Sequence, residues 1–359
     1  MPVLFIVVVL FVVVADHAAF FNPVVYYHVP PIKVDPPKID PPPPQPQLNI
    51  ALYNKLMEEL ANNPVAPSFV ASTSAARASS TIVRQPTYLW PAHAAYPAYG
   101  AILPFNRVVA YYGNFLSPAM GILGQYPPQE MLTRLMNQVA QWKAADPATP
   151  VIPALDYIAV SAQGSPGPNG MYRLRMASSS IEEAIQLANQ VHGLVILDVQ
   201  VGWSTVEQEV PLLEPYLKLP NVELALDPEF ALQPPKRPGT AIGSLDASDI
   251  NFAARYLAHL VTQYNLPPKF LVVHRFTKSM VTNYQDITPL PQTEIVMDMD
   301  GFGTPAQKTK VYNEIIYPEP VQFAGIKIFY KNDVANGSHL MTPREILSLR
   351  PRPIFIQYQ

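Results

Sequence analysis

Eight short apolar runs between residues 107 and 359, nearly all ending in a polar or charged residue, constrain this chain more than any other feature. They read RVVAYYG (107–113), VIPALDYIA (151–159), LVILDVQVG (194–202), VELALDPEF (222–230), FLVVHRF (270–276), EIVMDMDGFG (294–303), AGIKIFYKND (324–333) and PIFIQYQ (353–359). Each has the length and continuity of a buried strand. Helical segments lie between them. Leu132, Leu135, Met136, Val139 and Trp142 recur at helical spacing after the first run, and Ile250, Ala253, Ala254, Leu257, Val261 and Tyr264 do so after the fourth. Right-handed connections between adjacent parallel strands then make closure into a ring the natural solution. The expected fold class is therefore α/β, a (β/α)8 TIM barrel over residues 107–359, matching the ~250 residues such a barrel takes.

Helix starts are marked as well. Ser204-x-x-Glu207 and Thr342-Pro343-Arg344-Glu345 have the form in which a hydroxyl and a glutamate satisfy free backbone N–H groups. Asp246, Thr304 and Ser180 are further expected caps. The connection at 277–292 carries a poor helical pattern.

The residues before the barrel divide into three segments. Residues 1–28 are almost purely apolar and approach the ~20 residues that cross a bilayer, so a single membrane anchor helix is expected there. Residues 29–48 form a proline-dense linker, a semi-rigid polyproline II spacer. Residues 49–106 read as an extension wrapping the barrel, with a short helix near 49–62 and a small, polar stretch at 71–81. Asp16 and His17, near the end of the apolar run, are expected membrane or partner contacts if they lie at bilayer depth; the plainer reading puts them where the helix leaves lipid. Lys33 and Lys38 are offset by Asp35 and Asp40, and the low charge of the chain favours a periplasmic or extracellular barrel.

Composition removes several classes. The formal net charge of −3 gives no basic footprint, so nucleic acid is not an expected partner. The absence of cysteine excludes disulfides, thiolate metal sites and a catalytic thiol. GSPGPNG (164–170) lacks the Lys-Ser/Thr of a phosphate-binding loop and reads as a surface loop.

In a barrel of this kind the C-terminal strand ends surround the site. Those ends supply Asp156, Asp198 with Gln200, Asp227 with Glu229, His274 with Arg275, Asp298 with Asp300, Lys331 with Asp333, and Gln357 with Tyr358. Residues two apart on a strand share a face, so Asp227/Glu229 and Asp298/Asp300 are two carboxylate pairs projected the same way. Two carboxylates flanking a bond are the apparatus of glycoside hydrolysis. Asp227, Glu229, Asp298 and Asp300 are accordingly the expected catalytic groups, and Asp156, Asp198, His274, Lys331 and Tyr358 the expected substrate contacts. Tyr111, Trp203, Phe230, Phe302 and Tyr330 would offer stacking surfaces for sugars. No cofactor is expected, although the same acids with His274 could hold a divalent cation such as Mg2+, Ca2+ or Mn2+. The plain alternative for each acid is a helix cap or a pair with Arg275, Lys327 or Lys331.

DPE at 227–229, MDMDG at 297–301 and the tyrosine-bearing last run resemble the barrel glycosidases, including chitinase-like and alpha-galactosidase-like groups with acids on strands four and six. The chain departs from the chitinase pattern at Ala225 and Glu223, and its seventh run lacks the glutamate of the commonest glycosidase clan. LVVHRF, IVMDMDG, IFYKND and RPIFIQYQ also resemble an uncharacterised bacterial group of secreted or lipoprotein-type barrels, a resemblance that implies no activity.

Two functions follow. The leading expectation is a membrane-anchored accessory or structural subunit of a bacterial membrane complex, such as a photosynthetic reaction-centre or light-harvesting assembly, holding protein partners along residues 1–50. The alternative is an extracytoplasmic glycoside-hydrolase-like enzyme acting on carbohydrate.

Overall fold

A computed structural model describes residues 47–64 and 87–359. The expected anchor at 1–28 with Asp16 and His17, nearly all of the linker, and the polar stretch at 71–81 lie outside the described residues. Among the described residues no helix is long and apolar enough to cross a membrane.

The eight runs form eight parallel strands: β1 Arg107–Gly113, β2 Val151–Ala162, β3 Leu194–Val199, β4 Val222–Leu226, β5 Lys269–Arg275, β6 Thr293–Met299, β7 Phe323–Ile328 and β8 Phe355–Tyr358. Each pairs with its sequence neighbour, and β1 pairs with both β2 and β8, so the sheet closes. This is a TIM barrel. The register fixes which side chains enter the ring, because paired residues on parallel strands share a face. Ala110 stands opposite Gln357 and Ala154, and Asp198 opposite Ala225, which stands opposite Val272. The other parity faces the helices.

Both parities are apolar along the middle of the strands, which is why the sequence shows continuous rather than alternating runs. Val108, Ala110, Ala154, Ile196, Ala225, Val272 and Val296 fill the interior, while Val109, Leu155, Val195, Leu197, Leu224, Leu271 and Ile295 pack outward on the helices. The principal helices are α1 Ile50–Ala61, α2 Pro128–Ala145, α3 Ser178–Gln190, α4 Ala247–Tyr264 and α5 Pro305–Ile315. As the broken pattern implied, residues 277–292 hold no α-helix, but the short 3-10 turns Lys278–Met280 and Tyr284–Asp286 and a two-residue strand, Val281–Thr282, that pairs with Leu245–Asp246.

The N-terminal mouth is stoppered by α1. Asn49 Oδ1 caps this helix by accepting from Leu52 N at 3.0 Å. Tyr53 and Met57 then join the interior apolar cluster with Leu103 and Phe270. Arg352 N donates to Leu60 O at 2.6 Å, which ties the helix to the approach of β8.

Three of the five expected caps are present. Asp246, Thr304 and Thr342 each accept from the first turn of a helix while Asp249, Gln307 and Glu345 reach back to their backbone N–H groups. Two are corrected. Thr205, not Ser204, caps the turn Val206–Glu209, because the Ser204 hydroxyl is taken by buried Glu209 at 2.5 Å. Ala177 precedes α3 with no side-chain cap, and Ser180 lies within the helix.

Two carboxylates enter the ring at its closed end. Glu223 Oε2 accepts from Phe270 N at 2.8 Å, and Glu294 Oε2 from Leu103 N at 3.3 Å. Burial pushes Glu223 up to about 7 against the pull of Lys269, 3.9 Å away. The folded protein thus holds a proton on Glu223 that the unfolded chain releases near the ordinary glutamate value. The resulting stability is full below about pH 4.5 and is lost as the pH rises through about 7. The melting temperature should fall between pH 5 and pH 8, by the equivalent of on the order of 2 kcal/mol from this group. Glu223→Gln should flatten that part of the profile; calorimetric scans across the interval check both.

Candidate active site

At the open, C-terminal mouth the inward parity turns polar on seven strands at once: Tyr112, Asp156, Asp198, His274, Asp298, Lys327 and Gln357. Asp227 follows directly after β4, and Asp300 directly after β6. All nine are buried, Asp300 being the most accessible at 8%. Charges taken out of water need counter-charges close by.

His274 lies between two strands' acids. Its Nδ1 stands 3.1 Å from Asp298 Oδ2 and 3.9 Å from Asp300 Oδ2, while Nε2 stands 3.1 Å from Asp198 Oδ2. Burial works against its charge, but Asp198, Asp298 and Asp300 outweigh burial and hold the imidazole well above its ordinary value. Lys327 is the second internal cation. Its Nζ lies 3.2 Å from Asp300 Oδ1 and 3.6 Å from the centre of the Tyr112 ring, a cation–π contact. Burial opposes its charge too, and Asp300 with Asp227 and Asp198 overcomes that, raising its pKa.

Asp227 has no such partner. Its Oδ1 caps the turn Pro228–Phe230 by accepting from Glu229 N at 3.1 Å, and its Oδ2 receives only a long bond from Gln200 Nε2 at 3.4 Å. Gln200 is held by Ala162 N, which donates to its Oε1 at 3.0 Å, so its amide nitrogen turns toward Tyr112 Oη at 3.1 Å and toward Asp227. Burial, and then the charge of Asp198, push Asp227 well above the carboxylate range. Burial followed by Asp300 raises Glu229 as well. Asp156, bonded by Gln357 at 2.6 Å, is pushed up to about 8 by burial and Asp198.

Above this floor opens a cavity of about 640 Å3. Its polar wall includes Tyr112, Gln200, Asp227, Glu229, Asp300 and Lys327, and its apolar wall Phe230, Phe276, Phe302 and Phe329. Phe302 stands on the rim, 66% exposed. The lip on the β2 side is set by the length of that strand, which runs on to Ala162 and pairs antiparallel with a short strand at Arg173–Arg175. Glu209 clasps this hairpin, accepting from Arg173 Nε and Arg175 Nε at 2.7 Å each. Gly202, at φ 62, lies so close to the carbonyl of Tyr172 that a Cβ there would meet it at 2.5 Å. On the opposite side Lys308 Nζ binds Gly301 O at 2.6 Å and Asp333 Oδ2 at 3.2 Å, joining the loops after β6 and β7.

The expected site residues therefore separate by depth and parity. Asp227, Glu229 and Asp300 line the cavity together. Asp298, expected to be catalytic, does not: it is fully buried beneath the floor against His274, one strand repeat below Asp300. Asp156, Asp198 and His274 are likewise at 0% exposure, below rather than in contact with the cavity. Tyr358 points outward, because Gln357 holds the inward parity of β8; its hydroxyl accepts from Trp142 Nε1 at 2.9 Å. Lys331 is exposed beyond the rim and borders a separate cavity of about 110 Å3. Of the expected stacking residues, Phe230 and Phe302 line the cavity. Tyr111 and Tyr330 instead pack with Tyr358, and Trp203 lies on Tyr172. Among the described residues no group of three or more His, Asp or Glu is spaced to hold a metal ion. Lys327 and His274 supply positive charge among the acids.

No protein-family profile and no curated protein matches the chain. Among solved structures it is similar to Plasmodium falciparum HPPK-DHPS with pteroate, at 11% identity and a TM-score of 0.32 over 70% of this chain, and spans 44% of that protein's length. The mannanase BCman of Bacillus subtilis gives 11% identity and a TM-score of 0.34, covering 71% of this chain and 80% of that one. A Bacteroides ovatus GH5 xyloglucanase in complex with a XXXG heptasaccharide gives 10% identity and 0.31, covering 62% and 61%. At these values no residue role passes from them to this chain.

Gly325 on β7 makes the buried arrangement sterically feasible. A Cβ there would fall 2.5 Å from Asp298 Oδ1 and 3.0 Å from the Phe355 ring. Gly325→Ala should push Asp298 off His274 and destabilise the barrel by about 1–3 kcal/mol, the usual range for overpacking. Chemical denaturation of the variant measures this, and an unchanged midpoint would show that the interior has room to spare.

Proposed function

We propose that this protein is a hydrolase of glycosidic bonds, with the reaction at the carboxylates lining the open mouth. The observation that supports this reading is the difference between those carboxylates' surroundings. Asp300 faces two cations, Lys327 at 3.2 Å and His274 at 3.9 Å. Asp227 faces none at such distances, and its pKa is well raised. Paired titratable groups whose environments separate them in this way are suited to acid and base roles.

In this mechanism Asp227 protonates the departing glycosidic oxygen, with Glu229 on the same wall as the second candidate acid. Asp300 serves on the other side as nucleophile or as the base that activates water, and the distance between the carboxyl groups in the substrate complex selects between these. Lys327, 3.2 Å from Asp300 Oδ1, holds that carboxyl group in place. Gln200 orients Asp227, and the phenylalanine wall offers faces for sugar rings. The sequence-based pair of strand-four and strand-six acids is thereby narrowed, with Asp300 in place of Asp298.

The accessory-subunit reading, which leads on sequence alone, draws on residues 1–50, and the described residues add no observation to it. An apolar segment and proline spacer would equally tether an enzyme near a membrane. We keep that tether as part of the proposal, with the barrel outside the cytoplasm.

The full chain should release reducing sugar from at least one member of a broad panel of neutral polysaccharides and aryl glycosides. Asp300→Asn should lower kcat by about 10^3-fold or more, and Asp227→Asn by about 10^2–10^4-fold, the span of general acid–base catalysis. Both variants should keep the wild-type circular dichroism near neutral pH, and Asp300→Asn should melt at a lower temperature because it leaves buried Lys327 without its nearest carboxylate. Inactivity of the wild-type protein across the panel would overturn the proposal.

A further inference from the structure

The hydrolytic reading leaves His274 without a role, although it is fully buried and central to the mouth. We infer that His274 is a permanent imidazolium, a positioning residue that with Lys327 decides which carboxylates of the mouth stay ionised. A neutral imidazole carries one N–H and one lone pair, and a carboxylate only accepts. Both ring nitrogens of His274 face carboxylate oxygens at 3.1 Å, Nδ1 toward Asp298 and Nε2 toward Asp198. The Nδ1 contact has hydrogen-bond geometry, whereas Nε2 meets Asp198 off the N–H axis, as an ionic contact. A ring protonated on both nitrogens is attracted to both carboxyl groups, which a neutral tautomer is not.

The surrounding charges support the same state. Facing His274 are Asp198 from β3, Asp298 and Asp300 from β6 and its end, Lys327 from β7 and the Tyr112 ring from β1, with centroids 6.1 Å apart. Asp156, Asp227 and Glu229 also feel its charge. The ring thus contains six acids and two basic groups, so a second cation beside Lys327 relieves repulsion that a neutral ring would leave in place. Asp198 has no hydrogen bond within geometric limits on either oxygen, and His274, 3.1 Å away, is the basic group in ion-pair contact with it. The division of roles among the acids, which rests on the hydrolytic proposal, follows from distance. Asp300 lies within 4 Å of both cations, whereas Asp227 feels their charge but forms an ion pair with neither.

Nitrogen-15 NMR of the full chain labelled at histidine tests the charge state directly, with His274→Gln assigning the signal. Both ring nitrogens should show protonated shifts from pH 6 to pH 9, and Asp298→Asn should bring a titration into that window. A neutral tautomer in the wild-type protein anywhere in the range, which would place the proton on Asp198 instead, overturns the inference. The positioning role has its own readout. In the pH profile of hydrolysis, His274→Gln should move the acidic limb upward by about 1 unit or more, since an opposite charge at this range lowers a carboxylate by that much. A limb that stays in place overturns the positioning role. Absence of hydrolysis in the wild-type protein overturns the hydrolytic proposal and the division of roles with it, and the NMR result still decides whether His274 is charged.

Discussion

Closing eight parallel strands into a ring leaves the inward side chains no route to bulk water except at the mouth. Any ionisable group placed inside must therefore find its partner among the other inward groups or give up its charge. This protein meets the constraint differently at its two ends. At the stoppered end Glu223 is favoured in its protonated form and Lys269 is satisfied by backbone carbonyls, with Nζ 2.8 Å from Val222 O. At the open end two cations are spread among six acids, and Asp227 and Glu229, the acids of the cavity wall that form an ion pair with neither, have raised pKa values. Burial, normally a burden on charged side chains, becomes the means of distinguishing one carboxyl from another.

The fold was legible because doubly buried strands leave an unmistakable trace. The runs at 194–199 and 222–226 are apolar apart from Asp198 and Glu223 and show no sustained alternation, and each run contains its strand or overlaps it closely. The site was legible only in part, because sequence gives the order of residues along a strand but not the height at which the ring closes over them. One strand repeat, roughly 6.6 Å, separates Asp298 beneath the floor from Asp300 in the cavity. A single position of parity separates Gln357, turned in to Asp156, from Tyr358, turned out to Trp142. Lys327 was visible as a lone charge in an apolar run, AGIKIFY, and that oddity was the available signal for an internal cation. Nothing in the sequence indicated that Gln200 would be pinned by the backbone of Ala162.

The same logic explains why some chemically attractive residues fell away. Tyr111, Tyr330 and Tyr358 form a stacked and edge-to-face group outside the ring, where Gln138 donates to the Tyr358 hydroxyl and accepts from that of Tyr330. Aromatic residues near strand ends serve the helix-facing layer as readily as the mouth, and the aromatic part of the cavity wall comes from Tyr112 and the segments after β4, β5, β6 and β7.

The clasp of Glu209 on Arg173 and Arg175 also bears on how this molecule can change. Residues 164–170 are largely exposed between β2 and the short strand at Arg173–Arg175, and the charged clasp and the antiparallel pairing secure the far side of that excursion independently of its length. Insertions or deletions in that arc are thus insulated from the barrel while lying next to the lip formed by Ser161, Ala162 and Gln163. Variation in what enters the mouth can accumulate there without disturbing the charges beneath.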